Sequence, residues 1–243
     1  MHQASVGFHC PECTQKGKQQ VYRGPVEFDA IATKVLIGAN LVVFVLVMVA
    51  GGLSGQILLD FGLNAIPIAE EGEAYRILSS GVLHDGPLHI AANMWSLWVV
   101  GPLVERTLGT PRFIALYFVA LAAGAFGALL VDPLAFTVGA SGAIFGLFGA
   151  AFVLAQFGGH RSIANQIGAV LAINVFITFA FPILSIGGHI GGLAGGSALA
   201  ATYVPMLRAR RPEWQSLVVA VIAVAMFSAA ALWAASQWPD PLF

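Results

Sequence analysis

The sequence predicts an all-α membrane protein with seven transmembrane helices. Apolar residues make up 58% of the 243 residues and charged residues only 9%, against about 25% charged in soluble domains. So few charges cannot cover a water-exposed surface, so we expect the lipid bilayer to be the main surrounding. Seven apolar stretches come near the roughly 20 residues that a spanning helix needs. They cover 35–53, 88–104, 113–131, 139–157, 163–184, 187–206 and 214–236.

The polar head, residues 1–30, precedes the first span and contains both cysteines in a CPEC motif. Cys10 and Cys13 supply half of the ligand set of a structural zinc ion, with His2 and His9 as candidates to complete it. Two neighbouring cysteines cannot form a disulfide framework. The pair is at best a zinc half-site, and a full site requires His2 and His9, or a second chain that shares the metal, to supply the remaining ligands. The head lacks an apolar signal segment, so we expect the first span to serve as signal and anchor.

The positions of the basic residues predict the orientation of the spans. With a cytoplasmic N-terminus, all eleven Lys and Arg residues except Arg76 lie in cytoplasmic segments. Basic residues accumulate on that side of a membrane, so we expect the N-terminus inside and the C-terminus outside a bacterial plasma membrane. The net charge of −1 offers no basic surface for nucleic acid.

The long external connection, residues 54–86, mixes apolar and acidic side chains. Two interpretations are open. The segment lies in the membrane interface with one apolar face toward lipid, or it is a loop packed on the helix ends.

Polar residues in three of the spans are predicted to meet at one depth. Ser141 lies at the start of the fourth span, His189 at the start of the sixth, and His89 and Asn93 in the first turns of the second. Polar side chains are costly inside a membrane, and these three spans all run inward from the outer side. We therefore expect a hydroxyl, two imidazoles and an amide to gather near the outer face.

Ser141 and His189 are candidates for a catalytic dyad. A serine hydroxyl becomes an effective nucleophile when a base takes its proton, and imidazole is the usual base near neutral pH. Small residues at four-residue spacing let two helix backbones approach closely enough for this. The residues expected to pack the helices at the site are Gly139, Gly142, Phe145, Gly188 and Gly192.

Donors for an oxyanion are the second requirement of acyl transfer. His89 and Asn93 are four residues apart and share a helix face. Together with the backbone N–H of Ser141 near a helix N-terminus, they are candidate donors. The sequence shows no third member of a triad, so we expect packing on Phe145 to orient His189.

Each feature taken alone has a more ordinary interpretation. A membrane serine usually bonds to a carbonyl of its own helix, and glycine repeats usually serve packing. We expect His84 and His160 to be interfacial or loop histidines. The bulky fifth span fits either a gate or lipid-facing packing, through Phe176, Phe179 and Phe181. The agreement in depth favours the catalytic interpretation.

These segments resemble the rhomboid family of intramembrane serine proteases. The matching motifs, in the family's order, are HIAAN at 89–93, the GASGAIFG run from Gly139 and the GHIGGLAGG run from Gly188. The resemblance implies a rhomboid-like six-helix catalytic core at 31–206, followed by a basic loop and the seventh helix at 207–243.

The resemblance also implies residue roles. It makes Ser141 the nucleophile, His189 the general base, and His89 and Asn93 the oxyanion donors. It implies single-span transmembrane proteins as substrates, cut near the point where they enter the membrane, with no cofactor required for catalysis. One departure is Phe145, where relatives often have tyrosine; this keeps the stacking under His189 and removes a hydroxyl.

Other functions fit less well. A catalytically silent relative that binds membrane clients is the main alternative, and the intact Ser141 and His189 argue against it. A transporter would usually show inverted repeats or broken helices, and the sequence shows no convincing repeat. Zinc and aspartyl proteases are excluded because H-E-x-x-H and acidic residues are absent from the spans. Ala143 breaks the G-x-S-x-G pattern of α/β-hydrolases.

Overall fold

The computed structural model describes residues 2–3, 8–9, 29–52 and 55–238. The predicted zinc half-site at Cys10 and Cys13 lies outside these residues. Of the head, the structure describes a short antiparallel pair of strands that sets His2 opposite His9 in register.

The described part of the chain is helical apart from that pair, β1 (His2–Gln3) and β2 (Phe8–His9). Its ten α-helices are α1 (Ile31–Val49), α2 (Gly55–Phe61), α3 (Ala65–Glu71), α4 (Arg76–Ser79), α5 (Pro87–Leu108), α6 (Thr110–Val131), α7 (Ser141–Phe157), α8 (Arg161–Ala180), α9 (Ile186–Arg208) and α10 (Glu213–Ser236). Five of them, α1, α6, α8, α9 and α10, are long and apolar enough to cross a membrane. The chain is an integral membrane protein, and the prediction of an all-α bundle with a seventh C-terminal helix is confirmed.

The centre of the bundle is formed by α9, which packs most extensively on α6 and α7. Glycines make this contact a backbone-to-backbone one. A Cβ built on Gly187 would lie 2.0 Å from the carbonyl oxygen of Gly127 on α6, and one on Gly196 would lie 2.4 Å from that of Gly146 on α7. Real Cβ atoms do not come so close to an oxygen, so only glycine permits this spacing.

The connection between α1 and α5 forms three short helices rather than one continuous segment. Leu63, Ile68 and Ile77 are buried in a cluster with alanines of α6 and α10. Leu59 and Phe61 remain half exposed. The connection is therefore packed on the helices along one face and presents apolar side chains outward along the other.

Arg76 connects the segments of this connection through its hydrogen bonds. Its guanidinium donates to the carbonyl oxygens of Leu59 and Gly62 and pairs with the Glu73 carboxylate. The hydrogen bond from Arg76 holds the pKa of the Glu73 carboxyl below its ordinary value.

Glu105, at the end of α5, anchors the start of α1. It is fully buried and accepts hydrogen bonds from the backbone N–H groups of Ala32 (3.0 Å) and Thr33 (2.9 Å) and from the Thr33 hydroxyl (2.8 Å). The first N–H groups of a helix lack partners within the helix. Since α1 has no side-chain cap of its own, Glu105 supplies one from another helix.

The loop between α8 and α9 is longer than the sequence indicated. A tight turn near 185–187 was expected, but α8 ends at Ala180 and α9 begins at Ile186. Phe181, in an extended conformation, precedes Pro182. The residue before a proline is pushed out of the helical region, which explains the early end of α8.

Candidate active site

Ser141 and His189 lie in direct contact at the N-terminal ends of α7 and α9. The Ser141 Oγ is 2.8 Å from His189 Nε2, and the His189 ring is buried with 6% exposure. Because α7 begins at Ser141, no preceding turn of its own helix offers the carbonyl that a membrane serine usually bonds. The hydroxyl is left to the imidazole, which is the arrangement of a nucleophile beside a base.

Phe145 supports the His189 ring from below. The two rings are stacked, with centroids 4.2 Å apart and planes inclined by 12°. Phe145 lies one turn after Ser141, on the same face of α7. The helix that carries the serine thus also fixes the plane of the imidazole that faces it.

Glycines bring α7 and α9 together at this point. A Cβ on Gly192 would lie 2.0 Å from the Gly142 carbonyl oxygen, and one on Gly142 would lie 3.1 Å from the Gly188 carbonyl oxygen. Gly188 contributes to this contact through its carbonyl oxygen. Its own Cβ would meet the Ser185 side chain at 2.9 Å, so its carbonyl and not its Cα faces α7.

His89 and Asn93 flank the chain that leads into Ser141. Gly139 has φ +122°, and a Cβ there would lie 2.8 Å from His89 Nε2 and 3.8 Å from Asn93 Nδ2. Only glycine is both unstrained at this φ and small enough to leave the two side chains in place. Both nitrogens therefore lie beside Gly139, on the side where a side chain would otherwise be. Gly139 precedes Ser141 by two residues.

The protonation of His89 follows from its other nitrogen. The backbone N–H of Asp85 donates to His89 Nδ1 at 3.2 Å, so Nδ1 is an acceptor and carries no proton. In a neutral imidazole the proton then lies on Nε2, which is the nitrogen beside Gly139. His89 thus presents an N–H donor to the site.

His84, expected to be an ordinary loop histidine, is buried against His89. Its ring is 2% exposed and contacts His89 edge-on, with centroids 5.1 Å apart. It lies in the connection before α5, and burial lowers its pKa to about 4. His84 therefore stays uncharged at neutral pH. By contrast, His160 is exposed, at the start of α8.

A small cavity of about 30 Å³ adjoins Ser141. Its lining includes the hydroxyl-bearing residues Ser80, Thr137 and Ser185 as well as Gly124 and Gly142. The volume is enough for a water molecule, and the hydroxyls provide the polar partners that a buried water requires.

Thr178 is the site residue that sequence reasoning missed. Its Oγ1 lies 2.7 Å from His189 Nδ1, and it is buried with 1% exposure. His189 therefore has a second polar partner besides Ser141, and the expectation that packing on Phe145 alone orients the ring is wrong. The only signal was a threonine in a mostly apolar span that also carries Asn165, Gln166 and Asn174, eleven residues before His189, and such threonines usually just bond to their own helix.

Metal-binding groups are absent from the part of the chain that the structure describes: no three His, Cys, Asp or Glu residues there are placed to hold an ion. The CPEC motif is not covered by this statement.

Known proteins are similar to this chain over the part that contains these site residues. The family profile described as "Rhomboid domain" matches residues 71–206. Rhomboid protease GluP of Bacillus subtilis (strain 168) is 36% identical over 173 residues, which covers 70% of this chain and 34% of GluP. RHOMBOID-like protein 5 of Arabidopsis thaliana is 35% identical over 150 residues, 58% of this chain and 47% of the relative. Rhomboid-like protease 1 of Toxoplasma gondii is 31% identical over 173 residues, 66% of this chain and 57% of the relative. The chain thus spans from 34% to 57% of the length of these three relatives.

Proposed function

The chain belongs to the rhomboid family, and on that premise we propose that it is an intramembrane serine endopeptidase that cleaves transmembrane proteins with a Ser141–His189 dyad. The 2.8 Å hydrogen bond between Ser141 Oγ and His189 Nε2 carries this proposal. A silent relative would have no need of a serine held on a buried imidazole, since an unused pair of this kind only adds polar groups that are costly in the membrane.

In the first half of the reaction, Ser141 Oγ attacks the carbonyl carbon of the scissile peptide bond while His189 Nε2 takes the hydroxyl proton. The tetrahedral intermediate collapses as the C–N bond breaks, and His189 returns the proton to the leaving amine. The carbonyl side of the substrate stays bound to Ser141 as an ester.

In the second half, a water molecule attacks the ester carbonyl and gives its proton to His189 Nε2. The bond to Ser141 Oγ breaks, the oxygen recovers the proton, and a carboxylic acid leaves. The cavity beside Ser141, whose lining residues include Ser80, Thr137 and Ser185, is a suitable site for that water.

The negative oxygen that forms in both halves needs hydrogen-bond donors. His89 Nε2–H and Asn93 Nδ2 lie beside Gly139, and the Ser141 N–H is among the first groups of α7, which have no partner within their helix. Each such donor typically contributes about 2.7–4 kcal/mol to transition-state stabilisation. These three are the donors that we assign to the oxyanion.

The proposed topology puts this chemistry near the outer face of a bacterial plasma membrane, with the N-terminus inside and the C-terminus outside. The distribution of Lys and Arg supports it, and the position of His89, Ser141 and His189 in the first turns of α5, α7 and α9 puts all three at the same end of their helices. Substrates are then single-span proteins cut near the point where they enter the membrane.

The test is cleavage of single-span reporters by purified protein in liposomes. We expect the wild type and Ser228→Ala, which changes a serine of α10, to cut, and Ser141→Ala to be inactive. If Ser141→Ala cuts equally well, a different nucleophile is at work. If no form cuts any of several reporters, the silent client-binding relative becomes the better description.

The dyad has a test of its own. A serine-directed covalent probe should label wild-type Ser141 and leave His189→Ala unlabelled. Equal labelling of both would contradict the role of His189 as base.

A further inference from the structure

The buried hydroxyl of Thr178 has two neighbours. It lies 2.7 Å from His189 Nδ1 and 2.9 Å from the carbonyl oxygen of Asn174, one turn earlier on α8. A hydroxyl has one proton to donate and lone pairs with which to accept. Both contacts can therefore be hydrogen bonds only if the hydroxyl donates its proton to one neighbour and accepts a proton from the other.

The carbonyl of Asn174 can only accept, so the Thr178 proton is directed to it. The Thr178 oxygen is then left as an acceptor toward the ring, and His189 Nδ1 must carry the proton of the neutral imidazole. In that tautomer Nε2 has a free lone pair, and it is Nε2 that lies 2.8 Å from Ser141 Oγ. The opposite tautomer would place the proton on Nε2, and Nδ1 would then receive no hydrogen bond while the Thr178 proton is donated to the Asn174 carbonyl.

From this geometry we infer that Thr178 is a positioning residue that holds His189 in the tautomer able to accept a proton from Ser141. The inference rests on the proposed function and names a third member of the same site. A hydrogen bond to the far nitrogen is the general means by which a protein selects which ring nitrogen is free. Here a neutral hydroxyl supplies it, and the Asn174 carbonyl orients that hydroxyl.

The surroundings of Thr178 favour this role over simple packing. Thr178 and Ala164 are the two buried residues of α8. The rest of the helix turns large apolar side chains outward, with Ile173 59% and Phe176 72% exposed. An apolar side chain would fill the buried position equally well. The Thr178 proton is taken up by the Asn174 carbonyl of its own helix, whereas the lone pairs of its oxygen face His189 Nδ1 on α9 at 2.7 Å.

The experiment compares Thr178→Val, which keeps the shape and removes the hydroxyl, with Thr178→Ser, which keeps the hydroxyl. The first readout is ¹⁵N NMR of ring-labelled histidine in detergent micelles, above the ordinary histidine pKa of about 6.5. A protonated and an unprotonated ring nitrogen give distinct signals, and His189→Gln identifies those of His189. We expect protonated Nδ1 in wild type and Thr178→Ser, and a mixture of tautomers in Thr178→Val.

The second readout is reporter cleavage. Thr178→Val should lower kcat by between about 2- and 12-fold, the rate equivalent of one neutral hydrogen bond, with KM unchanged. Thr178→Ser should restore kcat. If Thr178→Val does not fold, Thr178→Ala takes its place as the variant without a hydroxyl.

The inference is overturned if wild-type His189 carries its proton on Nε2, or if removing the hydroxyl leaves both the tautomer and kcat unchanged. Its failure is distinguishable from failure of the proposed function, because the NMR signals do not depend on cleavage. A protein with protonated Nδ1 that cuts no reporter would contradict the protease proposal alone.

Discussion

His189 is held from two sides, and the two sides differ in kind. On the side of α7, the backbone of α9 contacts the backbone of α7 directly: a Cβ on Gly192 would lie 2.0 Å from the Gly142 carbonyl oxygen. Toward α8, the contact is a single hydrogen bond to Thr178. Most of α8 is only loosely embedded, as its two buried residues show.

The two contacts control different properties of the dyad, the spacing of α7 and α9 and the choice of protonated nitrogen in the His189 ring. The backbone contact between α7 and α9 sets the separation of the two helix backbones that carry Ser141 and His189, and no side-chain rotation can change that separation. The bond from α8 sets which ring nitrogen is protonated and can be lost while the apolar packing remains. We therefore expect changes at the glycine contact to disrupt the fold and changes on α8 to affect chemistry or little at all.

The largest effect is expected for Gly192→Ala. The new methyl group would collide with backbone atoms of Gly142, which cannot turn away as a side chain can. The loss in free energy of unfolding should exceed the about 1–3 kcal/mol typical of overpacking. The measurement is thermal unfolding in detergent, with Gly38→Ala in α1 as the matched control, because nothing lies within 4 Å of a Cβ there. Equal stability of the two variants would contradict the close contact.

A pH-dependent change in the free energy of unfolding is expected from His84, which packs against His89. Its pKa is about 4 in the folded protein, because of burial, and 6.5 is the ordinary value. As pH falls from 6.5 toward 4, the unfolded chain binds this proton first, so stability is lost across that window. The slope from this group is on the order of 1 kcal/mol per pH unit.

The measurement is the free energy of unfolding at several pH values for the wild type and His84→Gln. The variant should lose the part of the pH dependence that comes from His84. His160→Gln, a change of an exposed histidine, should keep the wild-type dependence. A slope that is the same in His84→Gln and wild type would show that His84 is not held neutral.

A smaller effect is expected for Phe145→Leu, which keeps apolar volume and removes the stacked ring. An aromatic pair contributes about 0.5–1.5 kcal/mol beyond its buried area, so kcat should fall by about 2- to 12-fold. Phe145→Tyr keeps the ring and should retain kcat. Unchanged turnover in Phe145→Leu would show that the stacking at 4.2 Å does not orient His189.

The smallest effect is expected for Phe176→Ala on α8. Its side chain is 72% exposed, so the free energy of unfolding should change by no more than about 0.5 kcal/mol. A larger loss would mean that α8 is embedded as firmly as α9. Cleavage by the same variant separates the two interpretations of this helix: an unchanged rate favours lipid-facing packing, and a higher rate favours a gate.

Hydropathy was enough to predict the helices, because a chain that crosses lipid must satisfy its backbone hydrogen bonds within each segment. The meeting of Ser141, His189, His89 and Asn93 also followed from sequence, because their spans run in the same direction and each residue lies in a first turn. The boundaries were less predictable where a local residue overrode hydropathy, as Pro182 does at the end of α8.

The sequence by itself determined the class of fold, the helix ends at which the polar residues lie and the glycines on which α7 and α9 meet. Only the tertiary structure decided the protonation pattern of the site. His89 receives the Asp85 N–H on Nδ1 and so points a donor at Gly139, whereas His189 meets Thr178 through Nδ1 and so points an acceptor at Ser141. The same side chain takes opposite parts because a tautomer depends on the partner of the far nitrogen. For His189 that partner lies on another helix, where no local pattern in the sequence reveals it.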